Sequence, residues 1–253
     1  MEVTFLGTGT SQGVPVIACS CEVCQSLDYR DKRLRSSVHI AVEGKSLVVD
    51  TSPDFRQQML QNRIQKLDAV LFTHQHKDHT AGLDDVRAYN FKYKTDMPLY
   101  ACESVIKQLK QEFEYAFAEK KYPGVPNLEV HSIENKAFDV QGIRILPILV
   151  MHYKLPVFGF RIHDFTYITD AKTISKEEIE KIKGSKIVVL NALRIEPHIS
   201  HFSLEEALAV AKEIGAEKTY LTHISHNLGK HREVEKILPN NVFLAYDGLK
   251  ISL

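Results

Sequence analysis

The sequence predicts an α/β chain in which two sheets pack face to face with helices on the outside. Three observations predict it. Short apolar runs rich in β-branched and aromatic residues recur along the 253 residues and dominate the pattern. Helical patterns are interspersed through both halves, which suits helices laid over sheets. Five apolar runs end in a histidine or an aspartate: SLVVD at Asp50, LDAVLFTHQH at His74 and His76, RILPILVMH at His152, FTYITD at Asp170 and KTYLTH at His223.

Taken in order, strands are expected over Val3 to Leu6, Val38 to Val42 and Ser46 to Val49, followed by a helix over Phe55 to Gln61. Ala69 to Phe72 reads as a buried strand, because Val70, Leu71 and Phe72 stand in succession. A helix over Ser104 to Phe117 follows, then strands over Ile143 to Val150, Phe158 to Ile162 and Thr166 to Ile168. Lys176 to Ile182 is helical and Ile187 to Leu190 extended. Leu204 to Glu213 is a helix whose start is marked by Ser203 as N-cap, with Glu206 three residues on to complete a capping box. Strands over Thr219 to Leu221 and Val242 to Leu244 flank a last helix, Glu233 to Ile237. No linker or repeat divides the chain, so residues 1–253 are expected to form a single domain.

Composition narrows the setting. Hydrophobic residues make up 44% and charged residues 25%, ordinary values for a soluble globular protein. Lys+Arg and Asp+Glu balance at 32 each, so no global field favours nucleic acid or a membrane surface. The chain opens MEVTFLG, with no basic segment followed by an apolar one, and no apolar stretch approaches the roughly 20 residues that span a bilayer. Three of its four cysteines crowd into CSCEVC, unlike a distributed disulfide framework. A reducing, cytoplasmic setting is expected.

The densest chemistry is THQHKDH. His74 and His76, one residue apart, project from the same side of an extended segment and can grip one cation. Asp78 and His79 come after the chain turns and can face a second cation nearby. The competing reading is a His-rich surface loop, and the strand-end position speaks against it, since α/β sheets build their sites at strand carboxyl ends. C-x-C-x-x-C is compact enough for Cys19, Cys21 and Cys24 to hold one tetrahedral ion, although spacing does not disclose the fourth ligand. Isolated Cys102 reads as a small buried residue.

The order H-x-H-x-D-H, then a distant His, then Asp, then His resembles the metallo-β-lactamase-fold hydrolase superfamily over nearly the whole chain. The resemblance implies a four-layer αββα sandwich with two divalent metal ions at one rim. His74, His76 and His152 would hold one, Asp78, His79 and His223 the other, and Asp170 would bridge them. Asp50 would orient a ligand histidine from behind. Ligand type does not choose among Zn²⁺, Mn²⁺ and Fe²⁺. GTGTSQGVP, CSCEVC and THISH resemble the phosphodiesterase branch of that superfamily, specifically the phosphoribosyl 1,2-cyclic phosphate phosphodiesterases. By that resemblance Cys19, Cys21, Cys24 and His226 would hold a structural zinc. His201, in HFSLEEA, would assist the leaving group beside the metal ligand Asp78, with His198 as the alternative. Arg194 would reach a substrate phosphate; Arg87 reads as a structural ion pair. The expected reaction is hydrolysis of a small cyclic phosphodiester, and relatives are often homodimers. The alternative is a ribonuclease Z-type transfer-RNA 3′-processing endonuclease. The segment between Met97 and Pro126 shows no Gly-rich basic arm to hold such an RNA.

Overall fold

The computed structural model describes residues 1–253. In chain order the first half contains β1 (Glu2–Gly7), β2 (Ser37–Val42), β3 (Lys45–Val49), α1 (Phe55–Gln61), β4 (Ala69–Leu71), α2 (Lys77–Thr80), α3 (Arg87–Tyr93), β5 (Met97–Ala101), α4 (Glu103–Glu112), α5 (Glu114–Phe117) and β6 (Leu128–Ser132). The second half contains β7 (Phe138–Val140), β8 (Ile143–His152), β9 (Leu155–Ile162), β10 (Phe165–Tyr167), β11 (Thr173–Ile174), α6 (Lys176–Ile182), β12 (Ile187–Asn191), α7 (Leu204–Ile214), β13 (Lys218–Thr222), α8 (His231–Glu235), β14 (Val242–Leu244) and β15 (Lys250–Ser252).

The strands form two sheets, β15-β1-β2-β3-β4-β5-β6 and β11-β8-β9-β10-β12-β13-β14, with β7 paired to β8. Each sheet begins antiparallel and turns parallel, at β3–β4 in the first and at β10–β12 in the second. Alternation along each strand then fills three cores. Phe5, Ile40, Leu47, Phe160, Phe165 and Tyr167 interdigitate between the sheets. Val48, Val70 and Phe72 point the other way, under Phe55, Val105 and Leu109 of α1 and α4. Val188, Leu190 and Leu221 lie under Ile179, Ile182, Ala207 and Ala211 of α6 and α7. Helix, sheet, sheet, helix is the αββα sandwich expected. No helix is long and apolar enough to cross a membrane.

Some local expectations needed correction. The helix expected over Ser104 to Phe117 breaks at Phe113, whose ψ of 40° separates α4 from α5. The last helix lies two residues earlier than the pattern suggested, at His231–Glu235. β5 went unseen because Pro98 stands inside it, and proline lacks the ladder donor.

The parallel strands and β8 all point their carboxyl ends at one rim. The chain leaves three of them through residues in left-handed backbone: Asp50 at φ 65°, Asp170 at φ 54° and His223 at φ 54°. Such conformations cost of order 1–3 kcal/mol and persist where the surroundings over-determine them. At β1 the sharp exit needs Gly7, since a Cβ there would stand 2.0 Å from the Arg35 carbonyl oxygen.

Candidate metal centre

Donor side chains converge on this rim from both sheets. β4 delivers His74 and His76, and α2 carries Asp78 and His79 directly after them. β8 ends on His152, and the turns after β10 and β13 supply Asp170 and His223. His201 lies on the loop between β12 and α7. Leu193 N–H donates to the Phe202 carbonyl (2.9 Å) and Phe202 N–H to that of Ala171 (2.9 Å), closing the base of this loop. The expected capping box fixes its exit: Ser203 Oγ accepts from Glu206 N–H at 3.3 Å while Ser203 N–H donates to Glu206 Oε2 at 2.8 Å.

Partners behind the rings decide which nitrogens face inward. Asp50 is fully buried and accepts from Thr73 N–H and Thr73 Oγ1, both at 2.8 Å, and from His79 Nδ1–H at 2.7 Å. With its own proton committed to Asp50, Thr73 Oγ1 accepts from His74 Nδ1–H at 2.9 Å. His152 Nδ1–H donates to the Ser200 carbonyl at 2.8 Å. His74, His79 and His152 therefore each direct a bare Nε2 at the centre, the arrangement that suits metal ligation. His74 Nε2 and His76 Nδ1 face one another at 3.0 Å.

His79 Nε2 is the sharpest observation. It is buried without a hydrogen-bond partner, yet stands 3.2 Å from both Asp78 Oδ2 and Asp170 Oδ2. A lone pair aimed at two carboxylates is repulsive unless a proton or a cation lies between them. The donor set thus fits a divalent cation. Asp170 also reaches His201 Nε2 at 3.0 Å through Oδ1 and His223 Nδ1 at 3.3 Å through Oδ2, so it touches three histidines at once.

Electrostatics agree. Burial drives His74 well below the usual imidazole value, with the charge of His79 adding to it, and burial pushes His223 down to about 4. Both shifts favour the neutral form, whose lone pair a metal needs. Burial opposes a charge on His79 most strongly, but Asp78, Asp170 and Asp50 together outweigh it and hold the ring protonated without a cation. Burial likewise works against a charge on Asp170, and His223 and His79 overcome it, keeping the carboxylate ionised. Burial raises Asp50, against the pull of His79.

The donors gather in overlapping groups. Asp78, His79 and His223 bring ligand atoms within 4.8 Å of one another, as do His74, His79 and Asp170. His152 gathers with Asp170 and His201, and its ring centroid also lies 5.8 and 5.2 Å from those of His74 and His76. His201 Nδ1 lies 3.1 Å from Ser200 Oγ and 3.2 Å from His198 Nδ1, so His198 backs His201 from behind. Arg194 spends donors on its own loop, Nε–H to the Glu196 carbonyl at 3.2 Å and Nη2–H to that of Pro197 at 2.7 Å, which ties down the segment leading to His198. Arg87 pairs with Asp84 at 3.1 Å.

A second cluster stands beside the rim. Sγ atoms of Cys19, Cys21 and Cys24 lie 3.3, 3.4 and 3.5 Å from His226 Nδ1. All four ligand atoms fall within 4.8 Å of one another. Three sulfurs ringed about one nitrogen fit a tetrahedral ion. The Cys24 N–H bond draws the Cys21 thiol down to about 6, and burial pushes Cys24 up to about 11. Cys102 is only half-buried, against expectation, with Sγ 3.2 Å from Ser104 Oγ.

Sequence reasoning passed over Thr73, Thr169 and Thr10. Thr169 Oγ1 donates to Asp170 Oδ2 at 2.6 Å, and Thr10 Oγ1 lies 3.3 Å from His223 Nε2. A signal was present: threonine directly precedes His74, Asp170 and His223 at three separate strand ends.

Comparison with known proteins agrees with this architecture. The family described as Beta-lactamase superfamily domain matches residues 45–224. A crystal structure of a new diphosphatase from the PhnP family is 40% identical, aligns over 100% of this chain and 97% of that one, and superposes with a TM-score of 0.93. Zn²⁺-bound PqqB from Methylobacterium extorquens shares the fold at 19% identity and a TM-score of 0.83, over 100% of both chains. The short form of human tRNase Z does so at 19% identity and 0.74, over 100% of this chain and 99% of its own. A Porphyromonas gingivalis (strain ATCC BAA-308 / W83) protein named octanoyltransferase is 39% identical over 253 residues, 99% of this chain and 51% of its own, so the chain spans about half the length of that curated relative. The chain belongs to the metallo-β-lactamase-fold hydrolase superfamily and, within it, to the PhnP family.

Proposed function

We propose that this hydrolase is a metal-dependent phosphodiesterase acting on a small cyclic phosphodiester. The observation that carries the reading is His201. Its Nε2 lies 3.0 Å from Asp170 at the inner edge of the donor cluster, while Ser200 and His198 hold its far nitrogen. A ring so fixed keeps Nε2 at the inner edge of the cluster, from which its proton would assist a leaving ester oxygen. Two divalent cations held by His74, His76, Asp78, His79, His152, Asp170 and His223 would lower the pKa of a water between them and neutralise charge growing on phosphoryl oxygens.

The chain's own residues supply the rest. Asp50 and Thr73 lock the tautomers of His79 and His74, so the centre keeps its shape while charge moves. Arg194 and the Ser203–Glu206 box hold the loop that carries His201. Between β5 and β6 the chain is taken up by α4 and α5 with residues 118–127 beyond them, and Lys+Arg equals Asp+Glu at 32 each. Both features favour a small ester over a long RNA. The Cys₃His cluster supports a bound structural zinc.

The 40% identity to a diphosphatase favours a second reading, cleavage of a diphosphate bond, which is also an in-line displacement at phosphorus. One experiment separates the readings. The purified protein with Mn²⁺ or Zn²⁺ is given ribose 1,2-cyclic phosphate, 2′,3′-cyclic nucleotides, a nucleoside diphosphate and precursor transfer RNA. The cyclic esters are expected to have the highest kcat/KM. Preference for the diphosphate establishes the second reading, and rapid cleavage of the RNA alone makes the chain a processing endonuclease.

A further inference from the structure

A cleft of about 270 Å³ is lined by Cys102, Glu103 and Ser104 on one side and by Leu149, Pro156, Val157 and Phe158 on the other. Its walls border the strand ends that carry His74 and His152. Phe158 N–H donates to the Thr73 carbonyl at 3.0 Å, one residue before His74, and Leu155 pairs with His152 one residue before Pro156. Two residues beyond the last β4–β5 pair, Leu71 with Tyr100, come Thr73 and Cys102 side by side. The β8–β9 hairpin side is apolar, made of Leu149, Pro156, Val157 and Phe158. Polar groups stand at one edge, that of Cys102, Glu103 and Ser104, where Cys102 Sγ and Ser104 Oγ lie 3.2 Å apart. Ligand cavities usually run to about 300–1,000 Å³, so this one takes a single ring system and not a whole substrate.

We infer that this cleft is the subsite for a planar aromatic group, a nucleobase or aryl ring, on a phosphoester whose phosphate lies at the metal centre. The inference rests on the phosphoester reading above, and its test separates the two. In the metal-loaded protein, kcat/KM for 2′,3′-cyclic adenosine monophosphate is divided by that for base-free ribose 1,2-cyclic phosphate. Ser104→Trp, on the exposed lip, should lower that ratio by about tenfold or more. A second arm needs no turnover: alkylation of Cys102 by N-ethylmaleimide, followed by peptide mass spectrometry, should be slowed by phenyl phosphate and by adenosine monophosphate but not by ribose 5-phosphate. Protection by only one of the two aromatic probes tells a nucleobase site from an aryl site. If the native protein cleaves neither ester while the aromatic probes still protect Cys102, the subsite stands and the phosphodiesterase reading falls. An unchanged ratio with alkylation indifferent to the ring overturns the subsite.

Discussion

The rim centre and the Cys19–His226 cluster both gather metal-ligand side chains, and they are built in opposite ways. The cysteines come from six consecutive residues and need only one distant partner, His226. Around them the arm has almost no core: Ile17 is 95% exposed and Leu27 99%. The rim draws on strand ends spread from Asp50 to His223, most of them buried, with His74, His79 and His152 each braced by a hydrogen bond from behind. An arm that cannot bury apolar surface needs a staple to hold its shape. A rim already held by three cores needs none for its shape. Position relative to the core, more than ligand type, is what separates the two clusters.

The largest expected effect tests the reactive half. His201→Ala should lower turnover of a phosphodiester by about 10²–10⁴-fold. Metal content, read by mass spectrometry of the native protein, should stay as it was. Unchanged turnover removes His201 from the reaction. Loss of metal along with activity makes it a ligand, a role its closeness to Asp170 and His152 leaves geometrically open.

The structural half is tested next. Cys21→Ala should remove one tightly held zinc and leave the chelator-labile rim metals in place. The melting temperature should fall by about 5–10 °C, since ~1 kcal/mol shifts a chain of this size by roughly 2–4 °C. Limited proteolysis should open first between Ile17 and Leu27. Retained zinc with normal melting refutes the cluster. A large fall in turnover at full rim occupancy would show that the arm also positions His223, through Thr10 and the Ile224 hydrogen bonds.

The same contrast explains what could be read in the sequence. Apolar runs ending in His or Asp announce a rim, because a strand buried in a sandwich must surface where it ends. Helices with a clean apolar stripe and sharp ends were legible too: α1 and α6 begin and stop where the pattern placed them. What escaped depends on contacts between distant segments. Pro98 hid β5, because its neighbours β4 and β6 make it a strand and its own propensity does not. The gathering of His152 with Asp170 and His201 depends on how the 194–202 loop folds back onto Ala171, which no spacing records. Arg194 looked free to meet a phosphate because the carbonyls it grips lie in a loop without periodicity. The cleft is assembled from the start of α4 and the β8–β9 hairpin, and no local signal marks it.

The smallest expected effect bears on the bracing that distinguishes the rim. Asp50→Asn keeps the size of the side chain and removes its charge. The amide can still accept from Thr73 N–H, but only one oxygen remains where two carboxylate oxygens served three donors. His79 Nδ1–H then faces either a shared acceptor or an NH₂ group, and its hold on the inward Nε2 lone pair weakens. Loss of such a partner typically costs about 10–100-fold in metal affinity. The loss should fall on the half of the rim formed by Asp78, His79 and His223, as read by chelator competition, while the Cys-cluster zinc keeps its affinity. A metal loss shared equally by both clusters would mean that the substitution had loosened the sandwich itself, and that the rim is less independent of its bracing than the three cores suggest.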